Sequence, residues 1–422
     1  MRRLVGLIAW TAALLTVSAE AADVSFQNLR SQLDQQNPSL KQAALPKEIA
    51  GLGGKAARLQ FAPELSFRSS KNWLRDSSGD GWPPNRASNI FELSWTVFDG
   101  LTRFKDVTIA DLTEEQAQQQ ELSDRANVFS TLAGSYLDWQ TAVARIDILQ
   151  ELVRLRKENV EKVRRRVGTG ELGRTESLLF ENQLLEAEDR LLQAISQRDA
   201  AVTAIAGLLP GSPLDPASQA PKKEPLFQED YCGLDTAEIE KHPTLQGLRR
   251  AISIATAQQE RTQSTFYPTA ELGAEQHMNA WGDPSAGPNE TYLTATLTWR
   301  LSDALVSQYD RQIAAIQRHD AQLALDAGLV LLRNSRDDNC RRLAHLKGRL
   351  KNSVGLIDNT EKLYNQGERK FARAGLSSLD LIRLQSDLLT ARLQAVQLQR
   401  DQQQLRLQQT LIFAPVTFPT AY

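Results

Sequence analysis

The chain carries one sequence pattern twice, and this duplication constrains its fold more than any other feature. Trp95 and Asp99 return 204 positions later as Trp299 and Asp303. The same offset relates five further residues, Leu172, Glu176, Leu184, Leu185 and Ala187, to Leu376, Asp380, Leu388, Leu389 and Ala391. Because one offset holds through strand-like and helix-like stretches alike, the sequence predicts two copies of one structural unit related by a pseudo-symmetry axis.

The start of the chain predicts export from the cytoplasm. Residues 1–21 contain two arginines, an apolar stretch and the small-residue site Ala19-Glu20-Ala21, which together are typical of a secretory signal peptide. The apolar stretch spans about 14 residues, fewer than the roughly 20 that a membrane-spanning helix needs. No later segment has 18 uninterrupted apolar residues, so any entry into a membrane has to occur without transmembrane helices.

Composition argues against several classes of function. The net charge of −2 disfavours a nucleic-acid partner. The two cysteines, Cys232 and Cys340, lie outside any metal-ligand spacing, and the sequence leaves open whether they pair. No nucleophile elbow, phosphate-binding glycine loop or paired-histidine motif occurs. We therefore expect no enzymatic activity, no cofactor and no metal.

Each repeat contains a segment with the alternation of a β-strand. Apolar residues alternate with polar ones from Phe91 to Val97 and again from Leu293 to Leu301. With less regular partners upstream, these segments predict β-hairpins over 61–99 and 268–301, whose loops hold the turn formers of 76–84 and 281–288. Strands of this length and pattern suit a tilted crossing of a bilayer. A half-buried sheet in a soluble domain is the alternative.

In a membrane sheet, the polar side chains of these strands would face a lumen. The predicted lumen residues are Glu92, Thr96, Thr294, Thr296, Thr298 and Arg300. Trp95 and Trp299 would then belong to an aromatic girdle at the membrane interface, with ordinary packing as the alternative.

Long helical hairpins follow the strands, over 104–209 and 305–412. The first helix has apolar residues at 3–4 spacing with one polar gap at Arg156, which predicts a coiled-coil seam: Ile146, Leu149, Val153, Val160, Val163 and Val167. About 63 residues of helix make a rod of roughly 95 Å, far longer than a bilayer is thick. These helices are also rich in Gln, Arg and Glu, so we expect them to stand in water.

One helix departs from its copy in the other repeat. The segment after Pro38 contains Pro46 and the cluster Gly51-Leu52-Gly53-Gly54, whereas its copy over 244–264 has neither. Proline and clustered glycine are expected to kink or shorten this helix.

The predicted organisation is repeat 1 over 22–209, a proline-rich linker over 210–227 and repeat 2 over 228–422. Each repeat begins with an opening helix, and repeat 2 closes with a short C-terminal tail. The fold class is mainly α with membrane β. Four strands are too few to close a barrel, so other copies of the chain have to supply the rest.

These features resemble the TolC family of outer-membrane efflux ducts over nearly the whole mature chain. The resemblance rests on the duplicated openings Asn37-Pro38-Ser39-Leu40 and His242-Pro243-Thr244-Leu245, the two strand pairs and the two helical hairpins. It implies a homotrimer in the outer membrane of a Gram-negative bacterium, with twelve strands in one barrel and the helices in a periplasmic tunnel. It also implies docking to a periplasmic adaptor and an RND or ABC pump of the inner membrane.

The resemblance further places the adaptor contacts and the channel entrance at the turns between helices. The implied adaptor-contact residues are Arg166, Val167, Gly168, Thr169, Arg373, Gly375 and Leu376. The implied entrance residues are Asp380, Arg383, Glu176 and Phe371. Three copies of Asp380 would form an acidic ring, which Arg383 could neutralise through an i,i+3 pair. The alternatives are ordinary helix ends and first-turn acids that interact with the helix dipole.

The leading functional hypothesis is a passive trimeric duct for efflux or type I secretion. A periplasmic adaptor and a structural coiled-coil protein without a pore are the alternatives, although an adaptor normally carries only one hairpin. The cargo, the pump class and the gating mechanism stay open.

Overall fold

The structure is a computed structural model that describes residues 22–72, 86–211, 214–216, 219–233, 236–279, 290–300, 302–373 and 375–413. The predicted signal peptide and both predicted hairpin loops, 76–84 and 281–288, lie outside these residues. The helices are α1 (Phe26–Gln36), α2 (Pro38–Leu59), α3 (Thr102–Gly168), α4 (Arg174–Leu208), α5 (Pro243–Arg261), α6 (Asp303–Ala372) and α7 (Ser378–Phe413). The strands are β1 (Ala22–Val24), β2 (Glu64–Asn72), β3 (Arg86–Phe98), β4 (Gln219–Pro221), β5 (Thr269–Asn279) and β6 (Glu290–Thr298).

The described chain divides into two compact units. The hairpin unit comprises the described parts of Met1–Asn37, Phe129–Glu229 and Leu343–Leu407. The sheet unit comprises those of Pro38–Val128, Asp230–Arg342 and Gln408–Tyr422. Helices α3, α6 and α7 contribute to both. The predicted mainly helical fold with paired strands is confirmed.

The sheet unit contains one antiparallel sheet with the strand order β2-β3-β5-β6. The second hairpin therefore pairs with the first through β3 and β5, and β2 and β6 are its edges. The predicted strand through Leu301 ends earlier, at Thr298, so Trp299 and Arg300 follow β6 and are not part of it. The alternation alone could not show where the pairing with β5 stops.

A second sheet, which the sequence did not predict, lies in the hairpin unit. Strand β1 pairs in parallel with β4, which lies within the proline-rich linker. Tyr136 of α3 fastens this pair, since its hydroxyl donates to the Val24 carbonyl at 2.8 Å and accepts from the Lys222 amide at 3.0 Å. The linker is thus held against α3 by backbone and side-chain hydrogen bonds.

The core of the hairpin unit follows the predicted seam. Five of its six apolar residues are buried, namely Ile146, Leu149, Val153, Val160 and Val163. On α4 the buried stripe consists of alanines, Ala187, Ala194 and Ala201, which allow close helix approach. The leucines of that helix with the same spacing, Leu178, Leu185 and Leu192, are each more than half exposed.

The expectation that α2 would be shortened is wrong. This helix has 22 residues, whereas its copy α5 has 19. Tertiary packing outweighs helix propensity here. Gly54 is buried, and a Cβ there would lie 3.5 Å from a carboxylate oxygen of Asp111 on α3. This distance is an ordinary van der Waals contact, so α2 packs on α3 without requiring a glycine here, and Arg58 adds an ion pair to Asp111 at 2.7 Å.

The turn from β3 into α3 requires a glycine. Gly100 has a φ of +69°, and a Cβ there would lie 2.5 Å from the Ser264 carbonyl oxygen. Beside it, Arg103 donates to the Asp99 carboxylate at 2.8 Å and to the carbonyls of Gln60 and Thr96. A glycine and a largely buried ion pair therefore set the direction in which α3 leaves the strand.

We expect Gly100→Ala to destabilise the protein by about 1–3 kcal/mol, because it combines a left-handed φ with a steric clash. The control is Gly53→Ala on α2, where a Cβ would meet nothing within 4 Å and helix propensity predicts a gain of up to about 1 kcal/mol. Denaturant unfolding of the purified protein in detergent measures both. Equal midpoints for the two variants would contradict the assignment.

Candidate functional site

The first inter-helix turn is closed by backbone hydrogen bonds. The Thr169 amide donates to the Arg165 carbonyl at 3.2 Å, and the Glu171 amide donates to the Arg166 carbonyl at 2.9 Å. The residue that adopts the left-handed conformation is Gly170, with φ +78°. The predicted tip residues Val167 and Gly168 form the last turn of α3, and Thr169 follows directly.

Basic side chains surround this turn, and several form ion pairs. Arg166 pairs with Glu171 at 3.0 Å and places its guanidinium 5.4 Å from the ring centre of Phe371. Arg164 pairs with Glu181 at 2.9 Å. Hydrogen bonds from Arg164 and then Ser177 lower the pKa of the Glu181 carboxyl. Arg165 and Arg174 are exposed, so the turn presents positive charge to solvent.

The second turn joins α6 to α7 and ends in a capping box. The Gly375 amide donates to the Lys370 carbonyl at 2.9 Å. The Ser377 hydroxyl donates to the Asp380 carboxylate at 2.6 Å and accepts from the Asp380 amide at 3.1 Å. Among the described ion pairs, none joins Asp380 to Arg383. The first-turn role of Asp380 is therefore visible in one protomer, while the predicted neutralising pair is not formed there.

Glu176, the copy of Asp380 in repeat 1, has a related but different position. It lies in the first turn of α4 and folds back over Gly173, where a Cβ would be 2.8 Å from its carboxylate oxygen. Gly173 itself provides no side-chain cap. The two acids thus both occupy helix starts, where the dipole favours negative charge.

An apolar cluster packs against residues of both turns. Phe371 is buried, and its ring centre lies 6.2 Å from that of Phe180 on α4. Tyr364 is buried in the same cluster, and the Gln385 amide donates to its hydroxyl at 3.4 Å. Burial raises the pKa of the Tyr364 hydroxyl. Phe371, predicted as an entrance residue, is therefore part of the core that fixes the turns.

Farther from the turns, Arg156 fills the polar gap of the seam. Its side chain is buried and donates to the Gln183 carbonyl of α4. Burial lowers the pKa of its guanidinium. A charge inside an otherwise apolar seam contributes little net stability, because desolvation offsets the hydrogen bond.

A groove of about 670 Å³ opens between the two turns. It brings together four of the predicted residues, Arg166, Glu176, Phe371 and Leu376. Leu178 and Leu379, which were not among the predicted site residues, also line it, and each is more than half exposed. Asp380, Arg383, Arg373 and Gly375 are not part of its lining. The groove is an apolar floor with charged residues at its rim.

The sheet register places five of the six predicted lumen residues on one face. Thr96 lies opposite Glu271, which lies opposite Thr296. Glu92 lies opposite Glu275 in the same way, and Thr294 and Thr298 alternate in phase with Thr296 on β6. Arg300, the sixth, lies beyond the strand.

Glu271 and Glu275 on β5 were missed, because the alternation of that strand is less regular in the sequence. The opposite face carries large apolar residues in cross-strand pairs, among them Phe67 and Phe91 with ring centres 4.7 Å apart. Trp95 shares this apolar face opposite Leu272 and donates to the Phe61 carbonyl at 3.0 Å.

Two features are absent from the described residues. No group of three or more His, Cys, Asp or Glu side chains there is placed to hold a metal ion. Within the same ranges, no helix combines the length and apolar character that crossing a membrane requires.

Comparison with known proteins agrees with this architecture. The family described as outer membrane efflux protein matches residues 29–211. AprF, the alkaline protease secretion protein of Pseudomonas aeruginosa, is 25% identical over 284 residues, which cover 63% of this chain and 58% of AprF. The outer membrane protein VceC of Vibrio cholerae matches with a TM-score of 0.80 at 17% identity, covering 92% of this chain and 95% of VceC. The CmeC outer membrane channel of Campylobacter jejuni matches with a TM-score of 0.81 at 12% identity, covering 92% and 86%.

The duplicated strand pairs and long helical hairpins are therefore the fold of outer-membrane channels. Residues 29–211 thus match the outer membrane efflux protein family, which confirms the resemblance found in the sequence. The relatives of the chain are efflux and secretion proteins and not enzymes, in agreement with the expectation for this chain. The matched region of AprF is less than two thirds of that protein.

Proposed function

We propose that three copies of this chain form a passive export duct in the outer membrane of a Gram-negative bacterium, with a large periplasmic portion. The observation that carries the proposal is a sheet of four strands with an apolar face and two edges, β2 and β6. In hydrocarbon, the unpaired amides and carbonyls of each edge would cost several kcal/mol per group. Pairing β2 of one copy with β6 of the next removes every edge, and three copies give twelve strands.

The helices attached to these edges support the same pairing. Helix α2 leads directly into β2, and α6 follows β6. Both carry an apolar heptad stripe that is at least half exposed. On α2 the stripe is Leu45, Ile49, Leu52 and Leu59, and on α6 it is Tyr309, Ile313, Ile316, Leu323 and Val330.

Each stripe lies on the side of its helix that faces away from the protomer. At 100° per residue, Ile316 is about 160° from the buried Ala314, and Leu52 is about 160° from the buried Gly54. A helix that buries one side and leaves leucines on the other is suited to packing against a second helix. Since one copy offers α2 and the next offers α6, the contact is head-to-tail and can close into a ring.

We expect Ile316→Glu to lower the trimeric fraction by more than about tenfold, because an unpaired carboxylate would be buried in the contact. Gln322→Glu is the control, since Gln322 is exposed on α6 about 120° around the helix from Ile316. Light scattering in detergent and heat-modifiable mobility on gels measure the trimer. A trimer retained by Ile316→Glu, or lost equally in the control, would contradict this contact. A wild-type chain that is a water-soluble monomer would overturn the duct itself.

The inter-helix turns support docking to a periplasmic adaptor. Their groove has an apolar floor, exposed leucines and a rim of mixed charge formed by Arg166, Glu171 and Glu176, a combination that suits a contact with another helical tip. The predicted contact residues Arg166 and Leu376 lie in the groove, together with the predicted entrance residue Glu176, while the predicted contact residues Thr169 and Arg373 are exposed. An inner-membrane pump would supply the energy, and the adaptor would connect it to the duct. AprF, a relative named for protease secretion, supports an export role without assigning a cargo.

We expect Leu379→Glu to reduce cross-linking to a helical-hairpin adaptor of the same organism by at least about tenfold, because the charge would enter the apolar groove. Gln366→Glu is the control, because Gln366 is exposed on α6 outside the groove lining. Trimer formation is measured in parallel. Unchanged cross-linking of Leu379→Glu in intact trimers would exclude the groove as the docking site.

Asp380 is proposed as an entrance residue in addition to its role as a cap. We expect Asp380→Asn to reduce cation selectivity in planar bilayers, because asparagine removes the charge of the ring while retaining a capping oxygen. Ser377→Ala is the control, since it removes the cap partner and leaves the charge. The reversal potential under a salt gradient is the measurement. Equal selectivity in wild type and Asp380→Asn would remove Asp380 from the entrance, and Arg383→Ala tests Arg383 in the same way.

A further inference from the structure

The two cysteines meet in the sheet unit. Cys232 lies in the 3-10 helix Tyr231–Gly233 and forms a disulfide with Cys340 of α6, with the two Cα atoms 5.7 Å apart. Both residues are half-buried, so small reagents can reach the pair. The Gln409 side-chain amide of α7 donates to the Cys232 sulfur at 2.9 Å. Three separate segments of the chain therefore converge on this bond.

Further contacts near the disulfide hold the 3-10 helix Tyr231–Gly233 against α6 and α7. The Tyr231 ring stacks on Phe413 of α7, with centres 5.8 Å apart. The Arg336 guanidinium of α6 donates to the Cys232 carbonyl at 3.4 Å and lies 6.0 Å from the Phe413 ring centre. The bond is thus embedded in a built contact between the entry to repeat 2, α6 and the end of α7.

The position of the bond along the chain gives it a topological role. The cysteines are 108 positions apart. The chain between them holds α5, β5, β6 and the first part of α6. The bond therefore closes a covalent loop around the whole second β-hairpin, and joins the segment before α5 to the middle of α6.

Repeat 1 makes the corresponding closure without a covalent bond. Cys340 corresponds to Tyr136 at the offset of 204, whereas the openings of the two repeats are 205 positions apart, so Cys232 corresponds to Gln27. Tyr136 binds the segment just before Gln27, through the hydrogen bond to the Val24 carbonyl at 2.8 Å and a ring contact with Phe26 at 5.4 Å. Both repeats thus attach the segment before their opening helices to the long helix that follows their hairpin.

We propose that Cys232 and Cys340 are an oxidation site, and that their disulfide is the covalent counterpart in repeat 2 of the Tyr136 contact in repeat 1. The two thiols lose two protons and pass two electrons to a disulfide-bearing oxidant of the oxidising compartment, which is reduced to two thiols. Reduction by a dithiol reverses the step and releases the entry segment of repeat 2 from α6.

The test compares the full-length protein purified from membranes before and after treatment with excess dithiothreitol. We expect no thiol to react with maleimide before reduction, even in denaturant, and two to react afterwards. Hydrogen exchange read by mass spectrometry should accelerate by about tenfold or more over 231–241 on reduction, because the tether is lost. Exchange in α4 should not change.

A Cys232→Ser/Cys340→Ser double variant is the matched control. Its exchange over 231–241 should equal that of the reduced wild type and should not respond to dithiothreitol. Two reactive thiols in the unreduced protein, or exchange that is insensitive to reduction, would overturn the proposal. Trimer formation and conductance are measured on the same samples. If the fully oxidised protein formed no trimer and conducted no ions, the proposed duct would be overturned, while the oxidation site would stand.

Discussion

The hydrogen-bonding groups on the two outer strands of the sheet are the constraint on which the rest of the architecture depends. A strand order of β2-β3-β5-β6 leaves the free edges at its two ends in space, while β3 and β5 join the repeats in the middle. The apolar face of this sheet is stable only next to lipid or other apolar groups, where open edges are not tolerated. The helices of the sheet unit follow the same order as the strands, because α2 leads directly into β2 and α6 directly follows β6.

The two repeats hold their entry segments in place with different contacts. In repeat 1, aromatic and hydrogen-bond contacts of Tyr136 hold the entry segment, and an ion pair between Arg58 and Asp111 joins α2 to α3. In repeat 2, a disulfide holds the entry segment, and α5 begins with His242 as its N-cap. The histidine accepts from the Thr244 amide through Nδ1 at 3.2 Å, and burial lowers the pKa of its imidazole. The two repeats thus keep the same order of strands and helices although these individual contacts differ.

The sequence predicted the elements whose periodicity is long and regular. The seam of α3 and the strands β3 and β6 repeat often enough to define a buried face. Three-residue strands such as β1 carry no such signal, and pairing of Cys232 with Cys340 depends on a spatial approach that spacing does not encode. The error at Pro46 has a different origin, since propensity is local and the packing of Gly54 on α3 is not. Periodicity also could not show which stripe of α4 is internal, because Ala187 and Leu185 belong to repeats of equal length.

The exposed leucine stripe of α4 is relevant to assembly independently of the strands. In the hairpin unit the alanines of α4 are buried within one copy, while Leu178, Leu185 and Leu192 lie exposed at a spacing of seven residues. Burying one leucine side chain contributes about 1.5–3 kcal/mol, so a regular stripe of three is a substantial surface to leave in water. Among the described residues, the sheet unit has two outer strands with a neighbouring strand on one side only, and the hairpin unit exposes a regular stripe of leucines. The leucine stripe therefore supports the proposed assembly independently of the strand edges.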